Sequence, residues 1–195
     1  MKVEPLPQSF FEQPTLNLAK ALLGKLLVKE TASGMASGWI VETEAYIGPG
    51  DRAAHSFGNR RTPRTEIMFA APGYVYTYVM HTHCLVNVVS GDIDQPEAVL
   101  IRAVEPYQGL ELMYERRGEK KKEQELTNGP GKLTKALGID RNDYGRRFVE
   151  PPLYIAEGRQ PGSIMSGPRI GIDNSGEARE YPWRFWVNGN RFVSR

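Results

Sequence analysis

The chain predicts a mixed α+β fold around a largely antiparallel sheet, and three observations predict it. Helical and strand patterns do not alternate regularly, which disfavours a doubly wound parallel sheet. Between residues 73 and 104 three β-branched and aromatic runs follow one another with no helical pattern between them. The last third reads as short strands separated by turns. At 195 residues the chain is long enough for one sizeable core and nothing forces a second, so residues 1–195 are read as one domain.

In order, Pro14-Thr15 opens a helix with Leu16, Ala19 and Leu23 on one face, and Gly24 stops it. Leu26-Leu27-Val28 reads as a strand, and a turn bearing Gly and Ser, from Ala32 to Gly38, leads into a second strand over Gly38–Tyr46. Residues 47–67 form a long loop, a length that is usually functional or disordered. Gly73–Met80 is a strand with Tyr74, Tyr76 and Tyr78 on one face. Cys84–Val89 is the next strand, and Ala98–Val104 the third, closed by Glu105-Pro106. A helix is expected over about Gly109 to Arg117. Asn128–Gly138 reads as a turn, a helix with Pro near its first position, and a glycine stop. Short strands are expected at Leu153–Ala156, Arg169–Ile172 and Trp183–Val187, the last before an Asn188-Gly189 turn.

The apolar and charged fractions, 40% and 25%, are those of an ordinary globular protein. No apolar run approaches the roughly 20 residues that span a bilayer. The opening Met1-Lys2-Val3-Glu4-Pro5 has no apolar stretch of the signal-peptide kind. The single cysteine, Cys84, excludes an internal disulfide and a Cys-based zinc site and fits a reducing cytosol. A monomer in a bacterial cytoplasm, without a membrane partner, is the expectation. A net charge of +2 does not by itself argue for nucleic acid. Its distribution says more: Arg52, Arg60, Arg61 and Arg64 crowd one polar loop against only Asp51 and Glu66, and such a loop could follow a phosphate backbone. Lys120-Lys121-Lys122 is surrounded by Glu111, Glu115, Glu119, Glu123 and Glu125, and reads as a solvated helix face or loop.

Several residues look out of place for a core. Side chains alternate along a strand, so Glu42, Glu44 and Tyr46 share a face. This presents a carboxylate beside an aromatic wall at a strand end, and the Gly48-Pro49-Gly50 loop returns His55 to the same place. Taken alone, the stretch reads more readily as an edge strand with ordinary charges on its solvent face. Arg102 interrupts an apolar run, and an unpaired buried cation costs several kcal/mol. Its partner is Glu42 or Glu105 if the pair is structural, and Glu44 or a bound phosphate if it is functional. Asn87, inside Leu85-Val86-Asn87-Val88-Val89, must find hydrogen-bond partners in the backbone or on a ligand. His81 and His83 could bind a metal with His55 and an acid, but no Cys pair or His-Glu-x-x-His signature supports a site, and no metal or cofactor is expected. An aromatic set such as Tyr46, Tyr74, Tyr76 and Tyr78 is more often sheet packing than a ligand clamp. Gly129-Pro130-Gly131-Lys132 at a helix start is a plausible anion cradle, though it lacks phosphate-loop spacing.

Several stretches together carry a resemblance: Val41-Glu42-Thr43-Glu44-Ala45-Tyr46, Ala53-Ala54-His55-Ser56, Arg61-Thr62-Pro63-Arg64, Met68-Phe69, Pro72-Gly73-Tyr74-Val75-Tyr76, Leu100-Ile101-Arg102-Ala103-Val104-Glu105-Pro106, Gly129-Pro130-Gly131-Lys132-Leu133 and Arg184-Phe185-Trp186-Val187. In this order, over nearly the whole chain, they resemble the alkyladenine (3-methyladenine) DNA glycosylases of the mammalian type, which also occur in bacteria. The resemblance implies one mixed domain around a curved, mostly antiparallel sheet, and damaged double-stranded DNA as partner. It implies Glu44 as the general base that activates water, with Arg102 helping to hold that water. Tyr46, His55 and Tyr78 would wall the pocket for a flipped base, and Asn87 would screen purines against the guanine 2-amino group. Arg60, Arg61, Arg64, Gly131 and Lys132 would hold the DNA backbone. The family usually carries an aromatic wedge on a hairpin just after the second pocket tyrosine. This sequence instead reads Tyr78-Val79-Met80-His81-Thr82-His83, so Met80 or His81 would have to fill the gap left by the base.

The activity so implied is hydrolysis of the N-glycosidic bond of alkylated or deaminated purines, the class of 3-methyladenine, hypoxanthine and ethenoadenine, leaving an abasic site. One alternative is a nucleic-acid-binding module that keeps the fold and the basic loop without catalysis. Another is a metal-dependent hydrolase using His55, His81 and His83.

Overall fold

The computed structural model describes residues 3–194; Met1 and Lys2, at the start of the segment read above for a signal peptide, and Arg195 lie outside the described residues. A short helix α1 (Thr15–Ala21) precedes the hairpin of β1 (Leu26–Thr31) and β2 (Gly34–Tyr46). After a long loop come β3 (Val75–Met80), β4 (His83–Ser90) and β5 (Glu97–Gln108), followed by α2 (Leu110–Arg117), α3 (Gln124–Thr127) and α4 (Pro130–Leu137). Strands β6 (Leu153–Ala156), β7 (Ile164–Gly167) and β8 (Arg184–Val187) complete the described chain. The result is an α+β fold around a curved, 8-stranded antiparallel sheet in the order β3-β4-β5-β2-β1-β6, with β8 pairing β2 and β7.

Strand β2 is the axis. One of its sides pairs with β5 along its length; the other pairs first with β1 (Leu26↔Trp39 to Thr31↔Gly34) and then with β8 (Glu42↔Trp186 to Glu44↔Arg184). The edge-strand reading of this stretch is therefore corrected: β2 is interior, and its acids need partners inside the protein. Helices cover one face of the sheet. Leu18, Leu22, Met113, Leu133 and Leu137 pack there against Ile40, Val86, Val88, Val99, Ile101 and Val104. The opposite face carries smaller apolar clusters, around Met68, Phe69 and Tyr76 and around Val41, Ala103 and Phe192. Between those clusters lies the polar ground of the candidate site.

Three sequence expectations fail for identifiable reasons. The turn expected from Ala32 to Gly38 shrinks to residues 32–33, because β1 runs on to Thr31 and pairs with β2 from Gly34 onward. The strand expected to close at Glu105-Pro106 runs on to Gln108. Pro106 sits opposite Gly38 beside a register irregularity, where its missing N–H interrupts no regular ladder. No strand forms at Arg169–Ile172; β7 lies just before it, at Ile164–Gly167. The Ile170 N–H donates to Glu44 and the Arg169 side chain is buried against Asp51, so the backbone of this segment serves the site instead of a ladder. The long loop contains three short 3-10 turns, at Gly48–Gly50, Phe57–Asn59 and Glu66–Phe69. Lys120, Lys121 and Lys122 are exposed between α2 and α3.

Candidate active site

The central pair of strands places the acids and the arginine on one face by two compensating bulges. Between Ile40↔Val104 and Glu42↔Ala103, β2 has one extra residue, Val41; between Glu42↔Ala103 and Thr43↔Ile101, β5 has one extra residue, Arg102. A bulge re-aims the residue it inserts. Thr43 thus faces the helices, donating to the Ala19 carbonyl at 2.8 Å, while Glu42, Glu44 and Arg102 meet on the opposite face.

Glu44 is fully buried. Its Oε2 accepts from Tyr46 Oη at 2.9 Å and Arg102 Nη1 at 3.2 Å, and its Oε1 accepts from the Ile170 N–H at 2.7 Å. Burial pushes the carboxyl above the usual carboxylate range, against the pull of Arg102, the Ile170 N–H and the Tyr46 hydroxyl. Glu42 is equally buried but differently served. Its Oε1 accepts from Arg102 Nε at 3.0 Å, Arg184 Nη1 at 3.2 Å and Ser194 Oγ at 2.9 Å, and its Oε2 from the Ser194 N–H at 2.7 Å. For Arg102 burial works against the charge, but Glu44 and Glu42 more than offset it and the pKa rises. Of the partners considered for Arg102, Glu42 and Glu44 are both engaged, whereas Glu105 pairs with Arg159 and Asn190 elsewhere.

Above this foot opens a cavity of about 140 Å³, walled by Tyr46, His55, Tyr76 and Tyr78, with Asn87 and Arg102 also in its lining. That volume is close to the ~150 Å³ of a cavity known to hold one benzene. His55 stands edge-on to Tyr78, with centroids 4.5 Å apart and planes at 82°. Its Nδ1 is 2.8 Å from Tyr76 Oη, and Arg64 Nη2 lies 3.0 Å from its Nε2. Burial, then the Arg64 charge, lowers the His55 pKa to about 4, so the ring is neutral at physiological pH. Asn87 donates from its amide to the Tyr76 carbonyl at 3.1 Å.

The other expected residues ring this cavity unevenly. Arg60 and Arg64 are exposed, and no carboxylate pairs with either among the described residues. Arg61 is engaged instead: it grips Glu66 with Nε at 3.0 Å and Nη2 at 2.7 Å, meets Asp94 at 3.2 Å and lies over Phe69. At the β3–β4 turn His81 takes a left-handed φ of 55°, and Met80, 48% exposed, reaches the cavity rim. Pro130 brings the start of α4 to the same rim. The neighbouring Gly131 lies against His83, where an added Cβ would fall 2.6 Å from the His83 Cβ. Lys132 reaches Asn128 Oδ1 at 2.8 Å. Among the described residues no three His, Cys, Asp or Glu side chains gather where they could hold a metal ion.

Sequence reasoning missed four participants. Tyr76 was seen only as a member of an aromatic set. The Ile170 N–H belongs to a segment read as a strand. Arg169, buried, donates to both Asp51 oxygens, with Nη2–Oδ1 at 2.8 Å, and to the Ala45 carbonyl at 2.9 Å, while its guanidinium lies 4.6 Å from the Tyr46 ring. Ser194 gives no local signal at all.

This fold and site define a protein with an aromatic-walled cavity above a buried carboxylate–arginine network. The methylpurine-DNA glycosylase (MPG) family model matches residues 9–191, and the chain belongs to that family of DNA glycosylases. A relative from Bacillus licheniformis is 70% identical over 192 residues, covering 98% of this chain and 97% of its own. One from Bacillus subtilis strain 168 is 68% identical over 191 residues, with coverage of 98% and 97%. One from Listeria monocytogenes serotype 4a is 47% identical over 191 residues, with coverage of 97% and 92%. Each carries the provisional name 3-methyladenine DNA glycosylase. No helix among the described residues is long and apolar enough to cross a membrane.

Proposed function

We propose that this protein removes 3-methyladenine and related alkylated or deaminated purines, the hypoxanthine and ethenoadenine class, from duplex DNA by hydrolysis of the N-glycosidic bond. The target base is extruded into the cavity at a cost of a few kcal/mol, least for a damaged and weakly paired base. Stacking on Tyr46, His55 and Tyr78 offsets part of that cost, and the ring faces favour cationic purines. Met80 or His81, at the turn beside the rim, fills the space the base leaves. Asn87 reads the purine edge, while Arg60, Arg64 and the α4 start carrying Gly131 and Lys132 face the backbone; Arg61 acts by shaping the loop through Glu66.

A single observation carries the assignment of the base. A carboxylate has about four acceptor positions. Glu44 has filled three of them, from Tyr46, Arg102 and the Ile170 N–H, and all three donors line the cavity. Three of the four bonds to Glu42 instead crowd its Oε1, and of its donors only Arg102 lines the cavity, Arg184 and Ser194 lying outside the lining. The remaining position on Glu44 receives water. As the C1′–N bond breaks, its electron pair leaves with the base and the sugar becomes oxocarbenium-like. The water oxygen bonds to C1′ and its proton passes to Glu44, which also stabilises the sugar cation electrostatically. Among the described residues no lysine lines the cavity, which favours water over an amine nucleophile. The test is Glu44→Gln on a lesion-containing duplex, with alkali to cut abasic sites. Binding should persist while release falls by roughly 10²–10⁴-fold, the usual worth of a general base. Undiminished release by Glu44→Gln, or a borohydride-trapped covalent adduct with the wild type, would overturn the reading.

A further inference from the structure

The chain returns to the candidate site at its far end. Phe192, 2% exposed, packs against Val41 and Ala103, and two residues later Ser194 reaches the acid–arginine network. Its backbone N–H and its hydroxyl both donate to Glu42, at 2.7 and 2.9 Å, and the same hydroxyl oxygen accepts from Arg102 Nη2 at 3.2 Å. The hydroxyl therefore bridges Arg102 and Glu42 on the side of the guanidinium that carries Nε and Nη2.

That position matters because a guanidinium beside a carboxylate prefers the two-pronged pairing, with two parallel N–H···O bonds. Arg102 makes only one bond to Glu42, through Nε, because Ser194 occupies the second prong. The guanidinium is thereby held at an angle that lets Nη1 reach Glu44 at 3.2 Å. With the hydroxyl gone, Nη2 would turn onto Glu42, close the two-pronged pair and draw Nη1 away from Glu44.

We propose that Ser194 is a positioning residue for the reaction: by bridging Arg102 and Glu42 it keeps one guanidinium donor on Glu44. The inference rests on the reading of Glu44 as the base. Groups facing Glu44 are Arg102 from β5, Tyr46 and Glu42 from its own strand, Tyr78 from β3, and the Ile170 N–H from the segment before β8. Of these only Arg102 is cationic. Withdrawing it removes the strongest influence that opposes burial, so Glu44 would hold its proton to higher pH.

The experiment is single-turnover base release across pH for the wild type, Ser194→Ala and Ser194→Thr, with lesion-duplex binding measured alongside. In Ser194→Ala the acid limb should move up by about one pH unit, a roughly tenfold slower release on the acid side. Ser194→Thr restores the hydroxyl and should return the limb to the wild-type position, and binding should change in neither variant. An acid limb that stays in place in Ser194→Ala, whether or not the rate falls uniformly, refutes the positioning role. Glu44→Gln, run in parallel, separates the two levels: if it turns over normally the base assignment itself fails, whereas a dead Glu44→Gln beside an unmoved Ser194→Ala limb sinks only the role of Ser194.

Discussion

The Asp51–Arg169 pair offers the sharpest test of how the pocket is held together. Both side chains are 0% exposed, and Asp51 also accepts from the N–H groups of Ile47 at 3.2 Å and Ala53 at 3.0 Å. Truncating Asp51 to alanine strands the Arg169 charge without a carboxylate, leaving it the carbonyls of Ala45 and Ala178 and the rings of Tyr46 and Trp183. Breaking one side of a buried ion pair costs about 3–5 kcal/mol. At roughly 2–4 °C per kcal/mol for a chain of this size, the melting temperature should fall by roughly 6–20 °C. Glu66→Ala is the internal control, in the same loop. It breaks the pair with Arg61, whose partners are 51% and 56% exposed, and exposed pairs are worth under about 1 kcal/mol.

Thermal and urea unfolding of Asp51→Ala, Arg169→Ala, Asp51→Ala/Arg169→Ala and the Glu66→Ala control gives the answer. The double variant leaves no buried charge unpaired and should lose less than the sum of the singles. A functional readout accompanies the fold: Arg169 lies 4.6 Å from the Tyr46 ring, so Asp51→Ala should also weaken lesion binding. If Asp51→Ala melts no lower than Glu66→Ala, water reaches the pair once Asp51 is gone, and the claim that it clamps the pocket wall is wrong.

Two further outcomes follow from the electrostatics. His55 has a pKa of about 4 in the folded protein against 6.5 in the unfolded chain, so between those values only the unfolded chain binds the proton. Stability present above pH 6.5 should therefore be lost as pH falls towards 4, and His55→Gln, followed by urea unfolding at several pH values, should flatten that decline relative to the wild type. Because Arg61 is already paired with Glu66 and Asp94 while Arg60 is not, Arg60→Ala should reduce the salt dependence of duplex binding by about one phosphate contact and Arg61→Ala by clearly less. Equal slopes for the two would show that the ion pairs open on DNA.

What the sequence disclosed and what it concealed divide along local and distant lines. Period two along β2 was enough to set Glu44 beside Tyr46, and an arginine inside an apolar run was enough to mark Arg102. The antiparallel sheet followed from three strands in succession without helices. The bulges at Val41 and Arg102 left no local trace, since both positions read as regular strand. Asp51 and Arg169 are 118 positions apart, and Ser194 is 152 from Glu42, so Asp51, Arg169 and Ser194 each look like an ordinary surface residue in their own neighbourhood. The misplaced strand has a similar cause. Ile170 and Ile172 mimic strand alternation, while the real strand β7 is mostly exposed and offers no apolar pattern to read.

The leaving base gives the last test, because its charge decides whether acid is needed. With Glu44 as the base proposed above, release of a cationic purine, which departs as a neutral molecule, should depend on Glu44 being ionised and on no proton donor. Release should then rise with pH through a limb set by Glu44, which burial places above the ordinary carboxylate range, and stay level beyond it. A neutral base such as hypoxanthine leaves as an anion unless it gains a proton. The lining is poor in proton donors, since His55 is deprotonated above about 4 and burial raises the hydroxyl pKa values of Tyr46, Tyr76 and Tyr78. The proton must come from the base's own prior protonation or from a water within the site, and either supply fails as pH rises. Single-turnover profiles on matched duplexes should therefore share the acid limb, with a falling alkaline limb for hypoxanthine and none for 3-methyladenine. A common bell shape for both would mean that a protein acid serves every leaving group, and the division of labour argued from this cavity would be wrong.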